Sequence, residues 1–280
     1  MSDERENRDG DVGVGSPSSG GGRHDGGSVP VVAVVLAAGL GTRFDPLRPK
    51  QLVSVGGRPV VVWSVEAFES DERVTDILVV VNPQVRHAVE RLADERGWGK
   101  VRAVIDGGEQ RSDSTARALT MLAGAGIPGN AKILIHDAVR PFVGQRCIDS
   151  CIEALDGCDA ATVAVASTDT ILVASESKGM RVVASVPDRS VMYRAQTPQA
   201  FRFETLSEAY RRAFRNPGFT PTDDTRVVVD YLPDTSVLIV PGDETNIKIT
   251  TRDDMPVAER IAASLLPCPD AQRASEAQGR

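Results

Sequence analysis

The stretch from Val31 to Val55, VVAVVLAAGLGTRFDPLRPKQLVSV, begins with an apolar run. Small residues follow this run, and cations come after them. The small residues are Ala37, Ala38, Gly39 and Gly41, and the cations are Arg43 and Lys50. Because the small residues have little or no side chain, backbone N–H groups can approach a phosphate closely, with both cations within reach of it. The pattern predicts a triphosphate cradle. Considered alone, it fits a tight turn with two incidental basic residues equally well.

Neither of two familiar phosphate-binding glycine motifs describes this stretch. A dinucleotide fingerprint needs a third glycine three residues after the second, and that position holds Phe44. The run G-x-x-x-x-G-K-[ST] occurs nowhere in the chain. A Rossmann dinucleotide site and a P-loop are therefore not predicted.

A second loop with ligand-binding features is DGGEQRSDS, from Asp106 to Ser114. Gly107 and Gly108 can present backbone groups to a flat base, while Ser114 offers a hydroxyl. Asp113 and Ser114 are also residue types that begin helices without any ligand, and for this loop alone that interpretation is the stronger one. Together with the first loop, the segment predicts a nucleoside pocket.

A third loop, HDAVRP, places Asp137 at the end of an apolar strand. A carboxylate close to a triphosphate would repel it unless a hard cation lay between them, and Mg²⁺ bound to phosphate oxygens is the usual arrangement. Asp137 is therefore a predicted magnesium ligand. The alternative is a turn in which Asp137 pairs with Arg140.

Alternating apolar runs and helical segments position these loops. Strands are predicted at Val31 to Leu36, Ile77 to Val81, Val101 to Ile105 and Ile133 to Ile135, with helices between them. This order predicts right-handed crossovers and a mostly parallel, doubly wound, Rossmann-like α/β sheet. Ligands of such sheets lie at the carboxyl ends of the strands, so the three loops are expected to converge there.

The pattern changes after Ala160. Ile171 to Ala174 and Val182 to Val186 are short β-type runs with no helix-length segment between them, which predicts a protruding antiparallel ribbon at about 167–191. A two-stranded ribbon is only marginally stable by itself. A second subunit is the expected support, and the protein is predicted to be a homodimer.

Composition limits the class of protein. The chain has 280 residues, of which 41% are hydrophobic, and a net charge of −7. This size suits one or two domains, and the alternation of elements favours a single one at 30–266. The negative charge argues against a broad nucleic-acid surface, so the substrate should be small and held by local Arg and Lys.

Both ends of the chain differ from the rest. Residues 1–29 hold eight of the 25 glycines, five serines and no aromatic residue, which predicts a disordered tail, and 267–280 are expected to be frayed. The tail has no signal-peptide pattern, and the apolar run after it is too short for a membrane span. A cytoplasmic protein with no membrane partner is expected.

The cysteines and histidines predict no metal or redox site. Cys147 and Cys151 stand four apart on a predicted helix with Ile148 and Ile152, as in a stripe that faces the core. Core packing explains the pair better than metal binding or redox chemistry. The three histidines are scattered and give no zinc-ligand spacing.

A series of motifs resembles a known family. AAGLGTRF, RPKQ, GGEQRSDS, HDAVRP, QTPQ, TDD and NIKIT, in this order, are similar to the 2-C-methyl-D-erythritol 4-phosphate cytidylyltransferases of the non-mevalonate isoprenoid pathway. The first motif is shared by many nucleotidyltransferases, but the series as a whole is specific and spans about residues 31–266. The resemblance implies a nucleotidyltransferase fold, Mg²⁺ as cofactor, and CTP and an alcohol phosphate as substrates.

The same resemblance implies roles for individual residues. CTP would be held by Ala37, Ala38, Gly39, Gly41, Gly108, Glu109 and Ser114, with Arg43 and Lys50 as transition-state cations. Arg189 and Lys248 would position methylerythritol phosphate, and Asp137, Arg140, Thr170, Thr197 and Thr222 also fall on the substrate side, Thr222 reaching across from the partner subunit. Glu109 departs from the family, which often has Asp there, so a side-chain contact at this position is less certain than a backbone contact.

The implied chemistry agrees with these residue types. Attack of an ionised phosphate oxygen on the α-phosphorus of CTP, with pyrophosphate leaving, needs cations and positioning rather than a general base. One rival is a cytidylyltransferase for another alcohol phosphate, such as ribitol 5-phosphate. Others are a glycosyltransferase, whose usual Asp-x-Asp triplet occurs only at Asp9 to Asp11 in the tail, and a non-catalytic nucleotide-binding protein, against which Arg43 and Lys50 argue.

Overall fold

The computed structural model describes residues 28–39, 41, 44, 49–219 and 222–266. The predictions for the N-terminal tail up to residue 27, for the C-terminal tail and for Arg43 therefore lie outside the described residues.

A seven-stranded mixed sheet forms the centre of the molecule. Its strands, in order across the sheet, are β11 (Val237–Pro241), β7 (Ala160–Ala166), β10 (Tyr193–Arg202), β6 (Lys132–Asp137), β1 (Val31–Ala37), β4 (Asp76–Val81) and β5 (Val101–Asp106). β1 runs parallel to both β4 and β6, β4 is parallel to β5, and β11 is parallel to β7. Only β10 runs antiparallel to its neighbours, so the predicted mostly parallel sheet is confirmed.

Burial on both faces explains the sequence of β1. All seven residues of VVAVVLA are buried, and alternate side chains enter two different cores. Val31, Ala33 and Val35 pack into the core on one face, whereas Val32 and Val34 pack into the other. A central parallel strand with helices on both faces has no polar face, which is why its sequence is continuously apolar.

Seven helices surround the sheet within the described part of the chain. They are α1 (Val60–Glu69), α2 (Arg86–Arg96), α3 (Arg111–Gly124), α4 (Gln145–Gly157), α5 (Phe203–Ala213), α6 (Asp224–Tyr231) and α7 (Met255–Leu265). α1, α2 and α4 contribute to one core, and α3, α5 and α6 to the other. Cys147 and Cys151 of α4 are buried free thiols in the first core, as predicted.

A smaller apolar cluster packs α7, near the end of the described chain, against Phe44 of the first loop and the residues that follow it. It contains Val55 of the two-residue strand β2 (Ser54–Val55), which pairs with β3 (Arg58–Pro59), together with Ala258 and Ala262 of α7. A capping box formed by Thr251 and Asp254 begins the turn that leads into α7.

The predicted ribbon is present, with shifted ends. β8 (Val173–Ser177) pairs antiparallel with β9 (Met180–Ser185), and every residue of both strands is exposed. Lys178 and Gly179 join the strands with positive φ angles of 50° and 74°, as in a type I′ turn. Ile171 and Leu172 precede the first strand rather than forming part of it.

The strand β10 is missing from the prediction. Its sequence, YRAQTPQAFR, mixes polar residues with a proline and therefore lacks a recognisable strand pattern. The register with β7 shifts between Ala195 and Gln199, which accommodates Pro198 between β6 and β7. The QTPQ motif thus lies inside the sheet instead of in a connecting loop.

Candidate functional site

The three predicted loops meet in one cavity of about 680 Å³ at the carboxyl ends of β1, β4, β5 and β6. Its lining includes the predicted residues Ala37, Ala38, Gly39, Gly41, Lys50, Gly108, Glu109, Ser114, Asp137 and Lys248. Cavities of several hundred cubic ångströms hold ligands of nucleotide size. The convergence expected from the parallel strands is therefore confirmed.

Backbone geometry places Lys50 beside the first loop. Gly41 has φ +66°, and a Cβ at this position would lie 3.0 Å from the Cβ of Lys50, so only glycine allows this turn without strain. Gln51 is buried, and its Nε2 donates to the Ala37 carbonyl oxygen at 2.8 Å. The turn that carries Lys50 is thereby anchored to the end of β1.

The second loop packs tightly against the first. A Cβ on Gly107 would clash with both Ala38 and Ser114, so a glycine is required for the two loops to approach. The Ser114 hydroxyl accepts from the Gly108 N–H at 3.1 Å and donates to the Gln110 carbonyl at 3.2 Å. Ser114 therefore sets the loop conformation and lines the cavity.

The helix-start interpretation of this loop also holds. Asp113 forms a capping box with Gln110, whose N–H donates to the Asp113 carboxylate at 2.9 Å. Asp113 is engaged in beginning α3, whereas Glu109 is exposed at the cavity. A ligand contact through the Glu109 side chain stays a prediction.

Two cations hold the carboxylate of Asp137. Arg111 Nε lies 3.2 Å from one carboxylate oxygen, and Lys248 Nζ lies 2.7 Å from the other. Burial alone would raise the pKa of this carboxyl, but the charges of Arg111 and Lys248 outweigh it and hold the pKa well below its usual range. Asp137 is therefore ionised at neutral pH, and it fixes Lys248 at the cavity.

The alternative pairing of Asp137 with Arg140 is not the one formed. Arg140 donates its backbone N–H to the Asp137 carbonyl at 2.9 Å, but its guanidinium points elsewhere. Nη1 donates to the Asn246 carbonyl at 2.8 Å, and Nη2 donates to the Ala195 carbonyl at 3.2 Å. Arg140 thus ties β10 to the segment that carries Lys248.

A buried hydrogen-bond chain supports Asp137 from behind. The Thr197 hydroxyl accepts from the Asp137 N–H at 3.1 Å and lies 3.0 Å from His136 Nδ1, and His136 Nε2 lies 3.1 Å from the Arg140 carbonyl. Neutral His136 with its proton on Nε2 satisfies every one of these groups. Burial lowers the pKa of His136 to about 4, so the ring is neutral at physiological pH.

The buried hydrogen-bond chain assigns Thr197 a structural role. Its side chain is buried, and its hydroxyl already serves both Asp137 and His136. The geometry supports a role in bracing the end of β6. A direct contact between Thr197 and a substrate stays a prediction.

Five predicted substrate residues lie outside the lining of the cavity: Arg140 and Thr197, whose contacts are given above, and Thr170, Arg189 and Thr222. Thr170 and Arg189 are exposed at the base of the ribbon, where Arg189 Nη1 donates to the Thr168 carbonyl at 3.1 Å. Thr222 is exposed two residues before the buried Asp224 at the start of α6. Their contacts with a substrate also stay predictions.

Sequence reasoning missed several polar residues that organise the site, although each belongs to a motif that it singled out. They are Gln51 of RPKQ, Arg111 of GGEQRSDS, Asp224 of TDD and Asn246 of NIKIT. Asn246 is buried and its Nδ2 donates to the Thr197 carbonyl at 2.9 Å, which fixes the course of the chain towards Lys248. The available signal was that each of these four is a polar residue inside a motif to which no ligand role had been assigned.

The described residues contain no cluster of three or more His, Cys, Asp or Glu side chains that could enclose a metal ion. Glu109 and Asp137 are the acidic residues that line the cavity, and two carboxylates are too few to enclose a metal ion without further ligands. Among the helices that the structure describes, none has the length and apolar character needed to cross a bilayer.

The chain is similar to known cytidylyltransferases over most of its length. A profile of the 2-C-methyl-D-erythritol 4-phosphate cytidylyltransferase family matches residues 31–264. A protein of that name from Bifidobacterium longum is 65% identical over 239 residues, which cover 85% of this chain and 82% of the relative. A crystal structure of 4-diphosphocytidyl-2C-methyl-D-erythritol synthase from Anaerococcus prevotii matches with a TM-score of 0.72 and 26% identity, over 83% of this chain and 95% of that one.

One relative has a different second substrate in its name. The bifunctional ribulose 5-phosphate reductase/CDP-ribitol pyrophosphorylase Bcs1 of Haemophilus influenzae is 34% identical over 233 residues. The match covers 83% of this chain but only 48% of the relative.

Proposed function

The chain belongs to the 2-C-methyl-D-erythritol 4-phosphate cytidylyltransferase family, and from this premise we propose that it joins CTP to 2-C-methyl-D-erythritol 4-phosphate. The products would be 4-diphosphocytidyl-2-C-methyl-D-erythritol and pyrophosphate. The observation that carries the proposal is the shared cavity, in which two glycine loops face Lys50 and the Asp137–Lys248 pair. This arrangement can bring a nucleoside triphosphate and a second anion together.

Electrostatics and positioning supply the catalysis. The attacking phosphate oxygen is already ionised, so the main barriers are repulsion between two anions and the charge that develops on the leaving pyrophosphate. Lys50, beside the first loop, would stabilise charge on the CTP phosphates, and Arg43 is proposed to share that task. Lys248 would hold the alcohol phosphate in line with the α-phosphorus, because Asp137 keeps its ammonium at the cavity.

Mg²⁺ is the proposed cofactor, and Asp137 is the residue that would hold it. Mg²⁺ commonly binds through one or two carboxylates together with substrate phosphates, so the ionised carboxylate of Asp137 at the cavity suits it. The ion would neutralise charge on the CTP phosphate oxygens. Asp137→Asn should then raise the Mg²⁺ concentration needed for half-maximal rate, and an unchanged metal requirement would contradict the assignment.

A homodimer is the proposed assembly. The ribbon and its flanks expose large apolar side chains, including Leu172 at 57%, Val183 at 57% and Val191 at 70% of their surface. Several large apolar side chains exposed along one element are typical of a protein interface. Buried free thiols at Cys147 and Cys151 fit a reducing compartment, which accords with the proposed cytoplasmic location.

The dimer is also proposed to complete the site. Thr170 and Arg189 lie at the ribbon and outside the cavity lining, so they can reach an alcohol phosphate most directly in the cavity of the partner subunit. Thr222 lies two residues from Asp224, whose carboxylate pairs with Arg111 of its own cavity. We propose that Thr170 and Arg189 are contributed across the dimer, and that Thr222 reaches across from the partner subunit as the family resemblance implies.

Turnover with defined substrates tests the proposed function. The purified protein is incubated with CTP, Mg²⁺ and either methylerythritol phosphate or ribitol 5-phosphate, and pyrophosphate release is measured. We expect release with methylerythritol phosphate. Release with ribitol 5-phosphate alone would favour the activity named for the Haemophilus influenzae relative, and a lack of release with both would refute the proposal.

A further inference from the structure

A buried carboxylate that the proposed mechanism does not use lies behind the cavity. Asp224, at the start of α6, has no exposed surface. One of its carboxylate oxygens accepts from the Tyr210 hydroxyl at 2.5 Å, the other accepts from Arg111 Nη1 at 2.5 Å, and its backbone N–H donates to Gln199 Oε1 at 3.0 Å. A buried charge held by three different elements is costly to maintain and calls for a physical explanation.

Arg111 connects this carboxylate to the cavity. Its Nη1 contacts Asp224, its Nε contacts Asp137 at 3.2 Å, and its Nη2 is buried without a hydrogen-bond partner. Burial alone would lower the pKa of the guanidinium, but Asp224 and Asp137 raise it above its ordinary value. The guanidinium therefore stays charged and is divided between two carboxylates.

This division leaves one oxygen of Asp137 for Lys248. A guanidinium can bind a single carboxylate through two parallel hydrogen bonds, and that geometry is the stronger one. Here Asp224 holds Nη1 and attracts the guanidinium towards itself, and of the remaining two nitrogens only Nε contacts Asp137, while the other oxygen of Asp137 accepts from Lys248 Nζ at 2.7 Å. Without the charge on Asp224, Arg111 could move towards Asp137 and bind both oxygens through Nε and the unpaired Nη2.

We infer that Asp224 and Arg111 are positioning residues that act on the second-substrate site. By drawing Arg111 away from full pairing with Asp137, Asp224 keeps the Lys248 ammonium fixed at the cavity. Neither residue needs to touch a substrate. The consequence for alcohol-phosphate binding rests on the proposed function, but the effect on Lys248 does not.

Competitive chemical labelling measures the position of Lys248 directly. The full chain contains five lysines, and Lys178 at the ribbon tip is an exposed internal reference. Trace acetylation of the protein, without nucleotide or metal, is read by mass spectrometry as the ratio of Lys248 to Lys178 modification. Asp224→Asn should raise this ratio about two- to fivefold, because the Asp137–Lys248 ion pair is lost and a partly exposed ion pair favours the paired state by about this factor.

A double variant separates positioning from general damage. Arg111→Met together with Asp224→Asn removes the competing cation as well as its partner, so Lys248 should pair with Asp137 again and the ratio should return to the wild-type value. If Asp224 were merely structural, the double variant would label at least as fast as the single one, and the inference would fail. Asp149→Asn, which breaks an ion pair of Arg73 away from the cavity, is the matched control and should leave the ratio unchanged.

A second variant keeps the test decisive if Asp224→Asn does not fold. Tyr210→Phe removes a hydrogen bond from Asp224 and leaves its charge, which should then attract Arg111 more strongly and release Asp137 further to Lys248. The labelling ratio should fall, by less than about twofold for one lost hydrogen bond. An unchanged or higher ratio would overturn the inference.

Steady-state kinetics test the consequence for substrate binding. Asp224→Asn should raise KM for methylerythritol phosphate about tenfold, with KM for CTP near the wild-type value. In a Lys248→Ala background the same change should add little, because both substitutions remove one interaction. Additive effects would contradict a role through Lys248. If the wild-type protein releases no pyrophosphate with any alcohol phosphate, the proposed function fails, whereas the labelling ratio still decides the positioning role.

Discussion

The cavity edge of the sheet and the ribbon differ in how their side chains are packed within one chain. At the cavity, polar groups such as Asp137, His136 and Thr197 are buried and paired within one chain. Every residue of β8 and β9, by contrast, is exposed, including Met180 at 63% and Val183 at 57% of their surface. A single chain thus specifies its nucleotide side by itself, whereas its ribbon lacks the packing that a two-stranded element needs.

The contrast predicts different effects for substitutions in the two regions. A change at the cavity edge alters charges that already have partners, so it should affect catalysis or stability in each protomer. A change on the ribbon, whose two strands are exposed throughout, should instead act through the proposed association.

Lys50→Ala should have the largest effect. Removal of a cation beside the CTP phosphates should lower kcat by on the order of 10²-fold or more, with a smaller effect on KM for CTP. Steady-state kinetics with both substrates provide the measurement. Lys100→Ala, just before β5 and outside both the cavity lining and the ribbon, is the matched lysine control and should leave kcat unchanged. A loss confined to KM for the alcohol phosphate would contradict the role of Lys50.

Val183→Asp should disrupt association. A carboxylate placed in the proposed apolar interface should raise the dimer dissociation constant about 100-fold, corresponding to roughly 3 kcal/mol for a buried polar group without a partner. Sedimentation velocity across micromolar concentrations measures this. Met121→Asp on α3, 39% exposed, is the control and should leave the dissociation constant unchanged. A wild-type protein that is monomeric and fully active would refute the dimer itself.

The pH dependence of stability should reveal His136. Its folded-state pKa of about 4 lies below the ordinary 6.5, so the unfolded chain binds this proton more readily in the window between the two values. Stability from this residue is therefore present above pH 6.5 and is lost as the pH falls towards 4, by about 2 kcal/mol at pH 5.

Urea unfolding of wild-type protein and His136→Gln at pH 7 and pH 5 tests this. The variant should be less stable at pH 7, but it should lose about 2 kcal/mol less than wild type between the two pH values. Equal losses would mean that His136 is not held neutral in the folded protein.

Mixed dimers should show whether the ribbon serves the neighbouring cavity. Arg189→Ala and Lys248→Ala should each raise KM for methylerythritol phosphate about tenfold. If Arg189 acts across the dimer, a mixed dimer of the two variants contains one intact site and one doubly defective site. After random subunit exchange, about a quarter of wild-type activity at low alcohol phosphate should return. Activity that stays at the level of the separate variants would place both residues in the same protomer's site.

Local pattern was sufficient for much of the molecule. The apolar run of β1, the loop that follows it and the core-facing Cys147 and Cys151 depend on burial and glycine geometry over a few residues, and all were predictable. The convergence of three loops followed from the rule that parallel strands share one carboxyl edge. The roles of most of these residues came from resemblance to a family, since spacing alone left the turn and helix-start alternatives open.

Hydrophobic periodicity and turn chemistry are local, so the amino-acid pattern predicted most of the strands and helices and the loops that line the cavity. The tertiary structure placed β10, with its proline and polar residues, between β6 and β7. It also decided the partners of Arg111, since Asp224 is 113 positions away in the chain, and of Asp137, since Lys248 is 111 positions away. The physical reason is that a charged side chain carries no mark of its partner: which charges pair, and how one guanidinium is shared between two carboxylates, depends on where the packed elements place them.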